Sequence, residues 1–94
     1  LEQIAQDGWT PDLLFLQGEL YRKRGNPRDL VTAATAYLNA IEAGYENPNA
    51  WRGLGLSQMR SGAQAEGKQT LKTYIRMAPD APDASMITLL IGEE

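Results

Sequence analysis

Three sets of residues in this chain have types and spacings that could do chemistry. Gly53-Leu54-Gly55 is a close glycine pair of the kind that lets a backbone approach phosphate. A phosphate loop needs its glycines in a strand-to-helix turn, whereas the periodicity around these puts them inside a helix. Asp80 and Asp83 are three residues apart and could share a divalent cation, although acids ahead of a helix also complement its dipole. Ser57 and Ser61 offer hydroxyl nucleophiles, which need a neighbouring base to be activated. The chain has no histidine and no cysteine, so the commonest general base and metal ligand is missing and no thiolate is on offer. No catalytic constellation emerges. The sequence points to a non-enzymatic chain without cofactor or metal, whose function lies in a surface.

Composition narrows the class further. The 94 residues are enough for one domain with a modest core. Hydrophobic residues make up 43% and charged ones 22%, an ordinary globular balance. The net charge of −3 argues against a nucleic-acid partner, which favours a basic face. No apolar run approaches the roughly 20 residues of a membrane span, so direct membrane insertion is not expected. The N-terminus lacks a basic-then-apolar leader pattern. The first residue is leucine, as in a piece excised from a longer protein.

The elements that would carry a surface are clearest from Trp51 to Pro79. Trp51, Leu54 and Gly55 recur at i, i+3 and i+4, and Gly67, Leu71, Tyr74 and Ile75 follow the same helical period. Two antiparallel helices are expected, joined at Ser61-Gly62-Ala63. A glycine inside a helix costs about 1 kcal/mol relative to alanine. Gly55 and Gly67 therefore imply close approach of the two backbones, with Trp51 and Tyr74 closing the open end.

Trp51, Leu54, Gly55, Gly67, Leu71, Tyr74 and Pro79 together resemble the consensus of the tetratricopeptide repeat, a helix-turn-helix unit of 34 residues. The chain departs from that pattern at Gln58, where tyrosine is usual, and at Tyr74, where a second alanine is usual. The resemblance implies an all-α fold of antiparallel helix hairpins, stacked as a right-handed superhelix. It divides the chain into a first repeat over 11–44, a second over 48–81, and a capping helix or the start of a third repeat over 82–92.

Elsewhere the signals are local. Leu1, Ile4 and Ala5 share a helical face ahead of Gly8, and 1–8 reads as the tail of a preceding helix or as a frayed terminus. Thr10 and Pro11 mark the next helix start. Along Pro11 to Arg24, Leu14, Gly18 and Tyr21 match the repeat, with Gln17 where leucine is usual. Leu13, Leu16 and Leu20 widen the apolar stripe, as if the helix were covered on more than one side. Arg22-Lys23-Arg24 suits the negative end of the helix dipole. Gly25 to Asp29 reads as a break carrying a three-residue insertion in the turn, with a second helix from about Asp29 to Ala43. Within it Ala33, Tyr37 and Ala40 match the repeat. Asn47 is the expected cap of the following helix. Ala84 to about Gly92 is apolar throughout, through Met86, Ile87, Leu89, Leu90 and Ile91.

In tetratricopeptide arrays the first helix of each repeat lines a concave groove that holds a peptide. Carried over by repeat position, that groove would present Asp12, Phe15, Glu19, Arg22, Asn49, Arg52, Leu56, Met59, Arg60, Asp83, Met86 and Leu90. Phe15, Leu56, Met59 and Met86 would form its apolar strip, or pack between neighbouring helices instead, with Arg52 and Arg60 at its rim. Phe15 and Glu19 stand where the family's carboxylate clamp has lysine and asparagine, so capture of chaperone tails is not expected. Tyr74 to Ile87, with its Pro79-Asp80-Ala81-Pro82-Asp83 turn, also resembles the C-terminal repeats of bacterial cell-envelope zinc metallopeptidases. That likeness implies an accessory module and favours the periplasm over the cytoplasm. Two readings follow: an adaptor that binds a protein or peptide partner, and a structural or self-association module pairing through its terminal helices into a homo-oligomer.

Overall fold

Proline, asparagine and glycine punctuation divides residues 10–92, which the computed structural model of the chain describes, into five α-helices. They are α1 (Pro11–Arg24), α2 (Pro27–Glu42), α3 (Pro48–Arg60), α4 (Gln64–Met77) and α5 (Ala84–Ile91). The expected helix tail over 1–8 lies outside the described residues. Helices α1, α2 and α3 each begin on a proline, whose missing N–H costs nothing at a position that has no intrahelical partner. Thr10 Oγ1 accepts from the Leu13 amide, and Asn47 Oδ1 from the Asn49 amide, as caps. At the far ends, Gly25 (φ 76°) and Gly92 (φ 77°) adopt the left-handed conformation that closes a helix without a Cβ penalty.

The first turn is shorter than the sequence suggested. Only Gly25 and Asn26 separate α1 from α2, which begins at Pro27 and not near Asp29. Relative to the second hairpin, the additional residues of the first one are helical. Pro27 supplies the reason: it fixes φ where a helix needs it at its first position. Arg24 Nε lies 3.5 Å from Asp29 Oδ2 across this turn.

Adjacent helices pack on one another along the chain, and α1 also touches α3. Both hairpins are antiparallel. Gly18 lies against Tyr37 while Arg24 meets Asp29, and Gly55 lies against Leu71 while Met59 meets Gly67. Helices α1 and α3 run in the same direction. Phe15 and Glu19 border the same depression as Asn49 and Arg52, and Gly25 lies near Arg60.

Two apolar clusters form the core. Ala33, Tyr37 and Leu54 are packed by Phe15, Tyr21, Ala34 and Ile41. Leu71, Tyr74, Ile87 and Ile91 are packed by residues that include Trp51, Leu56, Met59 and Ile75. Helix α3 sits between them and carries a glycine on each of two faces. Gly55 lets Leu71 of α4 approach, and a Cβ there would lie 2.6 Å from that side chain. Gly67 in turn lies under Met59, 3.0 Å from the Gly55 carbonyl oxygen when given a Cβ. Gly53, two residues from Gly55 and so about 200° around the helix, faces the other way. A Cβ on Gly53 would come within 2.2 Å of the Tyr37 ring, and one on Gly18 within 2.9 Å. The fully buried Tyr37 ring thus occupies the gap that two missing side chains create between α1 and α3.

Gly53→Ala tests that gap. Alanine gains up to about 1 kcal/mol in helix propensity, but the Tyr37 ring cannot withdraw, being held by α1 on its other side and at its hydroxyl. The clash is expected to prevail, with a net loss of roughly 1–3 kcal/mol in urea denaturation. Tyr37→Leu in the same chain should recover part of that loss. An unchanged or raised midpoint for Gly53→Ala would show that the ring has room.

Candidate functional site

Helices α1, α3 and α5 contribute one face of the molecule, and two shallow depressions adjoin on it. The first, of about 350 Å³, is lined by Phe15 and Glu19 of α1, Asn49 and Arg52 of α3, Tyr74, Pro82 and Asp83. The second, of about 440 Å³, is lined by Arg52, Leu56, Asp83, Met86, Ile87, Leu89 and Leu90. Arg52 and Asp83 border both, so the two join into a groove that is mixed at the α1 end and apolar at the α5 end. Asn49 is exposed in its polar half.

The polar half is built on two tyrosine, carboxylate and arginine constellations. In the first, the Tyr37 hydroxyl donates to Glu19 Oε2 at 2.6 Å and accepts from Arg22 Nε at 2.9 Å. Arg22 Nη2 closes the triangle on Glu19 at 3.3 Å. Burial and the bond to Glu19 push the Tyr37 phenol far above its usual range, despite Arg22, so it stays a neutral donor. In the second, the Tyr74 hydroxyl donates to Asp83 Oδ1 at 2.7 Å, and Arg52 Nε donates to Asp83 Oδ2. Partial burial pushes the Asp83 carboxyl up, but the bonds from Tyr74 and Arg52 and the Arg52 charge outweigh it, leaving it below 3.8. Asp83 directly precedes α5, so this carboxylate ties α5 to α3 and α4 together.

Of the residues named for the groove, Phe15, Glu19, Asn49, Arg52, Leu56, Asp83, Met86 and Leu90 are brought to this face. Phe15 is half committed elsewhere, stacked on Tyr45 with ring centroids 4.7 Å apart and tilted against Tyr37 at 5.8 Å. The remaining four do not line it. Asp12 is exposed in the first turn of α1. Arg22 is engaged by Glu19 and Tyr37. Met59 packs into the second core cluster over Gly67. Arg60 reaches towards the α1–α2 turn beside Gly25. Arg52 is no free rim charge either, since Asp83 holds it. Tyr74, Pro82, Ile87 and Leu89 also line this face, beyond the residues that the repeat positions assign to it. The signal for Tyr74 was present: it is the departure from the repeat pattern, and its hydroxyl is what reaches Asp83.

The acidic and hydroxyl side chains of the sequence analysis have the following surroundings. Both oxygens of Asp83 are taken, and among the described residues no group of three or more acidic, histidine or cysteine side chains converges on a metal site. Ser57 Oγ is fully buried and has no hydrogen-bond partner among the described residues, and the Ser61 hydroxyl donates to the Gln58 carbonyl. No helix among the described residues is long and apolar enough to cross a membrane. No protein-family model, curated protein or solved structure matches the chain.

Two outcomes are expected from this geometry. Asp83→Asn should cost roughly 1–3 kcal/mol, because it removes a charge-assisted acceptor from Arg52 and weakens the one for Tyr74. A lowered carboxyl pKa adds stability that is complete above 3.8 and is lost as the pH falls through the lower folded value. The gap between wild type and Asp83→Asn should therefore narrow below pH 4 in acid denaturation; a constant gap would mean the carboxylate is not paired. Ser57→Ala should raise stability by about 1 kcal/mol, since it removes a buried hydroxyl without a partner and favours the helix. A lowered urea midpoint would reveal a partner for that hydroxyl.

Proposed function

We propose that this chain is a tetratricopeptide-like helical repeat module that binds a peptide segment of another protein along the α1–α3–α5 face. The observation that carries this reading is the continuous groove across those three helices, polar around Asn49 and Glu19 and apolar around Leu56, Met86 and Leu90. Peptide recognition in such grooves draws affinity from a few apolar anchors and selectivity from polar groups beside them. The alternation of helices supports this reading: α1, α3 and α5 contribute most of the groove, and α2 and α4 pack behind them. The 16-residue length of α2 and the tyrosine at position 74 are then local departures from the repeat. The groove's charges are largely neutralised from within, by Arg22 on Glu19 and Arg52 on Asp83. Neutral hydrogen bonding through the Asn49 amide and insertion of an aliphatic side chain at the α5 end would therefore dominate recognition.

Panning a random-peptide display library against the chain tests this. Enriched peptides should share an apolar position and should lose at least about tenfold in affinity, or roughly 1.4 kcal/mol, against Leu90→Glu and against Asn49→Ala. Leu38→Glu, on the surface built by α2, α3 and α4, should bind them unchanged. Failure to enrich any peptide, or peptides indifferent to Leu90→Glu and Asn49→Ala, would refute the groove as the binding site.

A further inference from the structure

Exposed positive charge gathers at one end of the first hairpin. Lys23 and Arg24 close α1, Arg28 stands in the first turn of α2, and Arg60 ends α3; all four are exposed. Arg60 reaches this turn from the neighbouring hairpin, its Nη2 3.5 Å from where a Cβ on Gly25 would lie. The acids of the same region are committed elsewhere. Glu19 pairs with Arg22, Asp29 lies against Arg24, and Glu66 borders the depression lined by Leu38 and Gln58. Among the described residues, Lys23, Arg28 and Arg60 make no ion pair. The cluster is built within the described chain, about 20 Å along α1 from Thr10.

The helix dipole accounts for part of this cluster, since Lys23, Arg24 and Arg60 sit at helix C-termini. It does not account for Arg28, which places a cation at the positive end of α2. Like charges drawn together without an acid between them repel, and an anionic partner relieves that repulsion. We infer that Lys23, Arg28 and Arg60 form a docking surface for a short acidic segment of a partner protein, separate from the α1–α3–α5 groove and independent of it. The charge distribution selects that partner. Asp12 in the first turn of α1, Glu42 at the end of α2, Glu46 in the connection to α3 and Asp80 ahead of α5 are exposed at the other end of the antiparallel hairpins. A chain of net charge −3 with such an acidic end repels a long polyanion such as nucleic acid, yet accepts a few carboxylates at one place. Arg28 and Arg60 supply forked donors that match carboxylate geometry, and Lys23 adds a mobile point charge. Exposed pairs of this kind are individually weak, so binding is expected to be sensitive to salt and shared among the three.

Fluorescence anisotropy of a labelled oligoglutamate peptide, titrated with the full chain at about 50 mM and about 200 mM salt, tests the inference. The peptide should bind at the lower salt and several-fold more weakly at the higher, and an oligoglutamine peptide should not bind. Lys23→Gln and Arg60→Gln should each weaken binding by about two- to fivefold, and the triple variant with Arg28→Gln by at least about tenfold. Arg76→Gln removes the same charge from the last turn of α4, at the other end of the molecule, and should change binding by less than about twofold. Arg28→Gln separates a binding role from a structural one. It should weaken the peptide by a similar factor, while the urea midpoint of the free chain stays unchanged or rises, because a cation leaves a helix N-terminus. No binding of oligoglutamate at the lower salt overturns the inference. So does a loss for Arg76→Gln equal to that for Arg60→Gln, which would make net charge alone responsible. Tighter binding of single-stranded oligothymidylate than of oligoglutamate would assign the surface to nucleic acid instead. A lowered midpoint for Arg28→Gln with binding retained would show that this arginine serves the fold and not a partner.

Discussion

The Tyr37 ring, set between Gly18 of α1 and Gly53 of α3, is the contact on which the rest of the structure depends. It is the place where one helix hairpin meets the next. Three helices converge on a single aromatic side chain, and two of them yield a Cβ to make room for it. The hydroxyl at its tip cannot be left unpaired in that position, because an unsatisfied buried donor costs about 1–3 kcal/mol. Glu19 and Arg22 satisfy it, and in doing so they consume two side chains that would otherwise be free on the groove surface. Packing and surface chemistry are thus coupled at one residue.

A related arrangement recurs at the other end with its parts drawn from different helices. Tyr74 of α4 donates to Asp83, which also accepts from Arg52 of α3. In the first constellation the carboxylate and the arginine sit on α1 and receive the tyrosine of α2. In the second the carboxylate stands at the start of α5 and receives both partners from the preceding hairpin. The same chemistry therefore has two structural uses, locking a hairpin in one case and anchoring a following helix in the other. Anchoring matters for α5, which among the described residues packs mainly on α4 and buries only Ala84, Ile87 and Ile91 of its own side chains.

These two constellations also shape what the groove can recognise. A groove whose arginines and carboxylates are paired internally offers little net charge to a ligand, and discrimination falls to hydrogen bonding and shape. On the proposed reading, Asn49 and the apolar wall of Leu56, Met86 and Leu90 select the ligand.

Much of the architecture was legible in the sequence because its causes are local. Thr10 with Pro11 and Asn47 with Pro48 announce helix starts through their own hydrogen bonds and fixed dihedrals, and Gly55 with Gly67 announces a close crossing through an otherwise unfavourable residue at helical spacing. The turn at Gly25 was misjudged because Pro27 reads equally as a loop residue and as a first helical residue, and only the register of α2 against α1 distinguishes them. The groove residues were legible as helix positions, but not as free or engaged side chains. Whether Arg22, Arg52 and Met59 face solvent depends on Tyr37, Asp83 and Gly67, each at least eight residues away along the chain. Gly53 shows the division most clearly. Its sequence context says only that it is a helical glycine. That it opens a slot for Tyr37 is decided when α2 and α3 pack, because the absence of a side chain acquires meaning only from the atoms that fill its place.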